Sequence, residues 1–301
     1  MLFRSFQITT AFVQNYQSTV SVLLQQKGSK LRDAVTVGQY TGKAARAVDQ
    51  IGPVVAQKAI GRHADTPMIS TPHDARWIYP QDYEWADMMD DLDKLRMIAD
   101  PSSAYAQNGA YALGRAMDDE IIGAFFGTAK TGETGATSTA FPTSTTTNVV
   151  SVNTGGSASG LNVAKLRLAK KMLMAAQVDL DADPIYCAIT AQQHDDLLNE
   201  LQVVSLDYNT RPVLVDGKVT SFMGVNFLHC ERLVTGTDDA SGTSRALPIW
   251  ARSGMHLGIW EDIMARVDQR PDKRYSTQIF LRGTFGATRV EEGKVIKVWC
   301  R

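Results

Sequence analysis

The sequence holds little of what metal binding, secretion or membrane insertion require. Three cysteines stand among 301 residues, and Cys187, Cys230 and Cys300 are odd in number and widely spaced. They make no disulfide framework and read as reduced, mostly buried thiols of a protein made in a cytoplasm. The five histidines, His63, His73, His194, His229 and His256, show no metal-ligand spacing, so neither a metal nor a cofactor is expected. No uninterrupted apolar run is long enough to span a bilayer. The first residues, Met1-Leu-Phe-Arg-Ser-Phe-Gln, lack an apolar core and a small-residue cleavage site, which argues against secretion. Charge of either sign is not in excess: the formal net charge is −1, with acids and bases interspersed. Capture of nucleic acid by electrostatic affinity is therefore not expected.

What the chain does have is a long helix. Asp100 is an N-cap residue and Pro101 suits the first helical position, where a missing N–H costs nothing. A helix over residues 101–126 would span about 39 Å at about 1.5 Å per residue. Ala106, Ala110, Leu113, Met117, Ile121 and Ala124 form one stripe, with Arg115, Asp118 and Asp119 on the far side. Tyr111, Ile122 and Phe126 share that far side, so it is not simply wet. Gly109, Gly114 and Gly123 each weaken the helix by up to about 1 kcal/mol relative to Ala. Such a helix needs packing on both sides and suits a structural strut.

Before it, residues 1–34 carry scattered anchors, with Phe12, Tyr16 and Val20 at a helical spacing of four, and must lie on another surface to be ordered. Residues 35–81 read as extended: Val35-Thr-Val, 44–51 and 75–79 have strand character, split by Gly52-Pro53 and Thr71-Pro72. Trp77, Tyr79, Tyr83 and Trp85 keep a period of two apart from Pro80, so these aromatics could line one face. An isolated pair of long strands is marginal in water, and residues 54–69 add little core, so this excursion should dock elsewhere. Residues 86–99 read as a short acidic helix or turn with Met88, Leu92, Leu95 and Ile98 at helical spacing. Residues 127–159 are rich in Thr, Ser and Gly and read as a partly mobile loop or weak hairpin.

From Leu161 the texture is α/β. Asn162 caps a helix to about Ala176 that carries Val163, Leu166 and Leu173; a strand at 185–189 follows. Thr190-Ala-Gln-Gln193 is a capping-box signature opening a helix with Leu197, Leu198 and Leu201. Pro212-Val-Leu-Val, Asp216-Gly217 and Lys218-Val-Thr give the clearest hairpin signal. Strands are expected at 222–228, 247–251 and 256–260, and then at 276–283 and 295–299, able to return to the long helix.

No catalytic constellation emerges. Gly38-Gln-Tyr-Thr-Gly42-Lys43 has three residues between its glycines where a phosphate loop has four, and Ala44 replaces the Ser/Thr. Gly155-Gly-Ser-Ala-Ser-Gly160 has Ala158 at the centre, so the nucleophile-elbow pattern fails. His229-Cys230-Glu231 is compact, but strand neighbours point to opposite faces. Asp87, Asp90, Asp91 and Asp93 lack the Gly and Glu of an EF-hand and alternate with apolar residues, as a solvated face does. No acid/base pair stands out, and an enzyme is not expected.

The segment Asp65-Thr-Pro-Met-Ile-Ser-Thr-Pro-His-Asp-Ala-Arg-Trp resembles the middle of tailed-phage major capsid proteins. So does Asp82-Tyr-Glu-Trp-Ala-Asp-Met-Met-Asp-Asp-Leu-Asp-Lys-Leu-Arg-Met. Asp100-Pro-Ser-Ser-Ala-Tyr-Ala, Gly114-Arg-Ala-Met-Asp-Asp-Glu-Ile-Ile-Gly-Ala-Phe-Phe-Gly and Arg282-Gly-Thr-Phe-Gly-Ala-Thr-Arg-Val-Glu-Glu-Gly-Lys-Val continue the likeness in order. The resemblance implies the α+β Hong Kong 97-type capsid fold: an N-arm at 1–34, an E-loop hairpin at 35–81, a peripheral domain at 82–155 and 262–301, and an axial domain at 156–261. The long helix would be the peripheral domain's spine.

It further implies a structural protein that self-assembles into hexamers and pentamers of an icosahedral shell around double-stranded DNA, held without sequence specificity. Such a shell assembles in the bacterial host cytoplasm and is part of the virion. Subunit contacts are expected at Phe12 and Tyr16 in the arm and at Ile51, Val55, Trp77 and Tyr79 in the E-loop. The chain starts almost directly with the arm, so either a separate scaffolding protein or a processed form of the chain is expected, the former first, along with a portal and possible decoration proteins. Lys58 lies in the E-loop, yet no isopeptide partner is assigned. A nanocompartment shell around protein cargo would share this shape; a soluble α/β hydrolase or nucleotide-binding protein is the alternative of another class.

Overall fold

The computed structural model describes residues 25–58, 68–89, 102–156, 158–200, 203, 219–236 and 244–301. Fifteen strands lie among them: β1 (Thr36–Gln39), β2 (Ala45–Ile51), β3 (His73–Ile78), β4 (Gln81–Met89), β5 (Ala129–Thr131), β6 (Thr137–Thr139), β7 (Val149–Val150), β8 (Ile185–Ile189), β9 (Ser221–Phe222), β10 (Val225–His229), β11 (Thr235–Gly236), β12 (Ser244–Ala251), β13 (Met255–Arg270), β14 (Ser276–Arg289) and β15 (Val295–Cys300). Three α-helices accompany them: α1 (Ser102–Phe126), α2 (Val163–Ala175) and α3 (Ala191–Asn199). The expected cap at Asp100 and Pro101, Phe12, Tyr16 and most of the hairpin at 212–220 lie outside the described residues.

The chain divides into two compact units. One comprises Met1–Gly28, Asp82–Arg115 and Glu261–Gly283. Its core is Leu113 on α1 with Ile279 and Leu281 on β14, and Tyr83, Trp85, Tyr105, Ala106, Ala110 and Ile263 pack around them. This is the return of the C-terminal strands to the long helix. Gly109 is part of the same fit: a Cβ there would lie 2.5 Å from the Trp85 ring and 2.8 Å from Leu281 Cδ1. The glycine that weakens the helix gives the indole its seat. At residues 86–89 the reading of a short helix or turn needs correction, because β4 runs extended to Met89 beside β14; sheet pairing overrides the local spacing. Residues 90–100 are outside the described set.

The other unit comprises Ser29–Gln81, Ala116–Trp260 and Thr284–Arg301. At its centre is a sheet in the order β7-β15-β12-β8-β10-β9, with β11 paired to β12. β8 and β10 are parallel, whereas β12 runs antiparallel to both β8 and β15. Seven of the eight residues of β12 are buried, as suits a strand covered on both faces. Trp250 is fully enclosed, its ring 4.6 Å from that of Phe125, and its Nε1 donates to the Ala34 carbonyl at 2.9 Å.

Helix α2 starts where expected: the Asn162 side chain accepts the Lys165 N–H at 2.9 Å, a side-chain N-cap. Leu166, Ala169 and Leu173 are buried. At α3 the capping-box expectation fails in its details. The Thr190 hydroxyl bonds the Gln193 side chain and makes no cap to the backbone. All three cysteines are buried and free, as their spacing suggested. Within residues 127–159, read as a loop or weak hairpin, β5 and β6 do form a hairpin, β7 pairs with β15, and Phe141, Val149, Val150 and Val152 are buried.

Candidate assembly surface

Residues 38–43 lead from β1 through a turn, with Gly42 at φ +95°, into the strand β2. A phosphate loop would lead into a helix. β2 and β3 form an antiparallel hairpin with Ala45 opposite Ile78 and Ile51 opposite His73. A register shift lies between Arg46 and Val48, a bulge-like irregularity that increases local twist. β3 then pairs with β5, giving the order β2-β3-β5-β6. The hairpin thus pairs with the short β5–β6 hairpin, one of the two outcomes that the low-complexity sequence left open.

Turn geometry fixes this junction. Trp77 Nε1 donates to the Gly132 carbonyl at 2.7 Å, and Gly132 N–H donates to Asp74 at 2.8 Å. Gly135 takes φ +73°, and a Cβ on it would lie 2.7 Å from the Tyr79 hydroxyl and 2.9 Å from the Trp77 ring. Trp77 and Tyr79 therefore pack on their own chain, with Trp77 half-buried and Tyr79 41% exposed. Tyr83 and Trp85 belong to the other cluster, around Leu113. Pro80 separates two pairs of aromatics with different neighbours.

At the far end the hairpin turns apolar side chains to solvent. Ile51 is 68% exposed, Val55 82% and Met68 96%; Val54 and Ile69 are also exposed. At its base Arg76 is buried, bonded through Nη2 to Glu292 at 2.8 Å and through Nε to Gln50 at 3.3 Å. Gln50 in turn donates to the Val290 carbonyl at 2.7 Å.

Three further polar anchors were not visible as such in the sequence. Asp118, placed by helical spacing beside Arg115 and Asp119, is fully buried. It accepts the Ser29 hydroxyl at 2.6 Å and the N–H groups of Lys30 and Leu31 at 3.0 and 3.1 Å. Arg289, also fully buried, donates through Nη1 to the carbonyls of Phe125 and Gly127, each at 2.9 Å. It satisfies the end of α1, where carbonyls lack helical partners and a cation is favoured. Burial pushes its guanidinium pKa down; Glu292 opposes that and Arg76 adds to it. Lys165 donates to the carbonyls of Ser159, Gly160 and Trp299 at 2.6, 3.0 and 2.9 Å.

A fourth anchor lies where β1 meets β13. The Thr36 hydroxyl donates to the Met255 carbonyl at 2.6 Å, so toward His256 Nδ1, 2.9 Å away, it must accept. His256 Nε2 is then left to accept from Tyr40 Oη at 2.8 Å. Gly38 lies over this bond, its absent Cβ 2.9 Å from Nε2. Burial lowers the His256 pKa and raises that of Tyr40.

Among the described residues no three His, Cys, Asp or Glu side chains converge on a metal position. His229 and Glu231 do meet, at 2.8 Å, but Glu231 is engaged by the Ala191 N–H. Cys230, between them, is buried. No helix among the described residues is long and apolar enough to cross a membrane.

Comparison with known proteins agrees with this architecture. The model of the phage capsid protein family matches residues 8–301. The capsid structure of cyanophage P-SCSP1u is similar with a TM-score of 0.71 at 16% identity, covering 98% of this chain and 94% of that one. The capsid of cyanophage Pam1 gives 0.71 at 13% identity over 97% of each chain. The capsid of a native GTA particle gives 0.67 at 12% identity, over 100% of this chain and 99% of that one. Such identities speak for the fold alone. No curated protein matches this sequence.

Proposed function

Since this chain belongs to the phage capsid protein family, and is thus a structural protein of the virion shell, we propose that it builds the shell in the Hong Kong 97 manner. Residues 1–34 act as an N-arm and 35–81 as an E-loop. Residues 82–155 and 262–301 form a peripheral domain with α1 as its spine, and 156–261 an axial domain. Subunits join as hexamers and pentamers and close into an icosahedral shell that holds double-stranded DNA. Repetition of modest contacts around closed symmetry makes such a shell stable.

One observation carries this reading: the hairpin end exposes Ile51, Val55 and Met68 together. A group of large apolar side chains in solvent marks an interaction surface, and docking on a neighbouring copy covers it. Phe12 and Tyr16 in the arm and Tyr79 at the hairpin base extend the same contact, and Trp77 supports it from within its own subunit. The near-neutral net charge fits DNA driven inside by a motor at a portal. A separate scaffolding protein guides assembly in the host cytoplasm, and decoration proteins are further partners.

The test is to delete residues 48–70 and image the purified protein by negative-stain electron microscopy beside the full chain. Shells from the full chain and none from the deletion are expected. Normal shells from the deletion would sink the docking account.

A further inference from the structure

The exposed hairpin is not the sole place where a strand meets solvent. β13 has β14 on one side. On the other it has β1, in register only with residues 256–259. Past Ile259, whose carbonyl accepts the Tyr40 N–H at 2.9 Å, no further strand lies along that edge among the described residues. Residues 264–270 are exposed on both faces, and Met264 and Val267 stand 42% and 55% open. A long bare edge offers a row of unpaired N–H and C=O groups and is a template for another strand.

The charges on this edge say which strand. An edge guarded against pairing carries charges of one sign, which repel a second copy. Here the two signs alternate along one face, in the order Met264, Arg266, Asp268 and Arg270. Arg270 is engaged by Asp272 at 2.8 Å; Arg266 reaches only the Met264 thioether, at 3.8 Å, so its charge and that of Asp268 can meet a partner's. Antiparallel pairing of this segment with itself, centred on Val267, sets Arg266 of each strand opposite Asp268 of the other. It also sets Val267 against Val267. Opposite-charge and β-branched pairs directly across a ladder are favourable, and like charges there are not.

We propose that residues 264–270 of β13 pair antiparallel with the same residues of a second copy across a two-fold axis at Val267. The contact is isologous: each copy gives and receives the same two ion pairs, so it joins two subunits and stops. It uses residues other than those of the E-loop contact. This inference rests on the chain being a shell subunit.

The test uses the full chain carrying Val267→Cys, treated with a short bis-maleimide reagent both as particles and as unassembled protein, with the unsubstituted chain as control. A dimer band specific to the variant is expected. In that background Arg266→Asp and Asp268→Arg each replace two attractive pairs by two repulsive ones, and the dimer yield should fall by about tenfold. The double substitution restores the pairs in reversed order and should return the yield to within about twofold. Circular dichroism of each variant shows whether it is folded. No dimer in either preparation, or a yield indifferent to the charges, overturns the strand contact. Particle formation by the unsubstituted chain is read separately by electron microscopy. Normal shells without crosslinks would defeat this contact alone, whereas failure to make shells would count against the shell reading.

Discussion

The carboxylate of Asp118, in the second half of the long helix, accepts the backbone N–H of Leu31 at 3.1 Å. With the N–H of Lys30 and the Ser29 hydroxyl at the same carboxylate, this point anchors residues 29–31 to the helix. Replacing Asp118 with Ala strands three donors, each bonded to a charged acceptor, and such bonds contribute about 1.5–3 kcal/mol each. Asp118→Ala should cost about 3 kcal/mol or more by urea denaturation. Trypsin should also cleave faster at Lys30 and Arg32. Unchanged cleavage would mean that the segment is held by something else.

Two glycines of the same helix should respond in opposite directions. Gly123 has open space where a Cβ would stand, so Gly123→Ala should stabilise by up to about 1 kcal/mol. Gly109 faces the Trp85 ring and Leu281 at clashing distance. Gly109→Ala should destabilise by about 1–3 kcal/mol through overpacking, despite the better helix propensity. Thermal unfolding of the unassembled proteins distinguishes the two.

Arg289→Lys keeps the charge and loses the fork that reaches the carbonyls of Phe125 and Gly127. Removing one partner from a buried charged network costs about 3–5 kcal/mol, and the lysine should recover less than half of it. Equal stability of Arg289→Lys and the parent would show that charge alone suffices at the helix end.

Protonation of His256 is expected to weaken the fold in acid. Burial lowers its pKa below the ordinary 6.5, so the folded state favours the neutral ring. The unfolded chain binds a proton as pH falls below 6.5 while the folded chain does not, and stability drops across that window until the folded ring itself titrates. Above 6.5 this contribution is fully present. His256→Gln should flatten the dependence of the urea midpoint between pH 7 and 5. A slope identical to that of the parent would place the titrating group elsewhere.

Ile51→Asp together with Val55→Asp should leave the stability of the unassembled chain within about 0.5 kcal/mol, since both positions are exposed. Shell formation, followed by light scattering, should fail. Scattering curves matching those of the parent would remove these residues from the contact.

The sequence made the regular elements readable wherever one periodicity dominated. Asn162 and the stripe of Leu166 and Leu173 gave α2, and the apolar run at 185–189 gave β8 to the residue. What stayed hidden depended on partners distant in the chain. Asp118 reads as a far-side charge by helical spacing, yet it is buried against Ser29, Lys30 and Leu31; Arg289 is buried against the carbonyls of Phe125 and Gly127, and Lys165 reaches that of Trp299, all distant in the chain. Met88 sat in a helical pattern and folded as strand because β14 lay beside it. Of the proposed contact residues, Ile51 and Val55 are exposed because the hairpin has too little core to hide them. The surroundings of Trp77 were not legible: its ring and N–H are engaged by Gly135 and Gly132, 50 and more positions along the chain.

The burial of Cys187, Cys230 and Cys300 has a practical side. The folded subunit offers a thiol-directed dye, gold cluster or ligand no native point of attachment. A cysteine placed at an exposed position such as Val55 or Tyr275 would be a unique chemical address, and in an assembled shell it would recur at every copy with the shell's own symmetry. Labelling stoichiometry per particle would then count subunits directly, and the positions that lose reactivity on assembly would map which addresses face a neighbour and which face water.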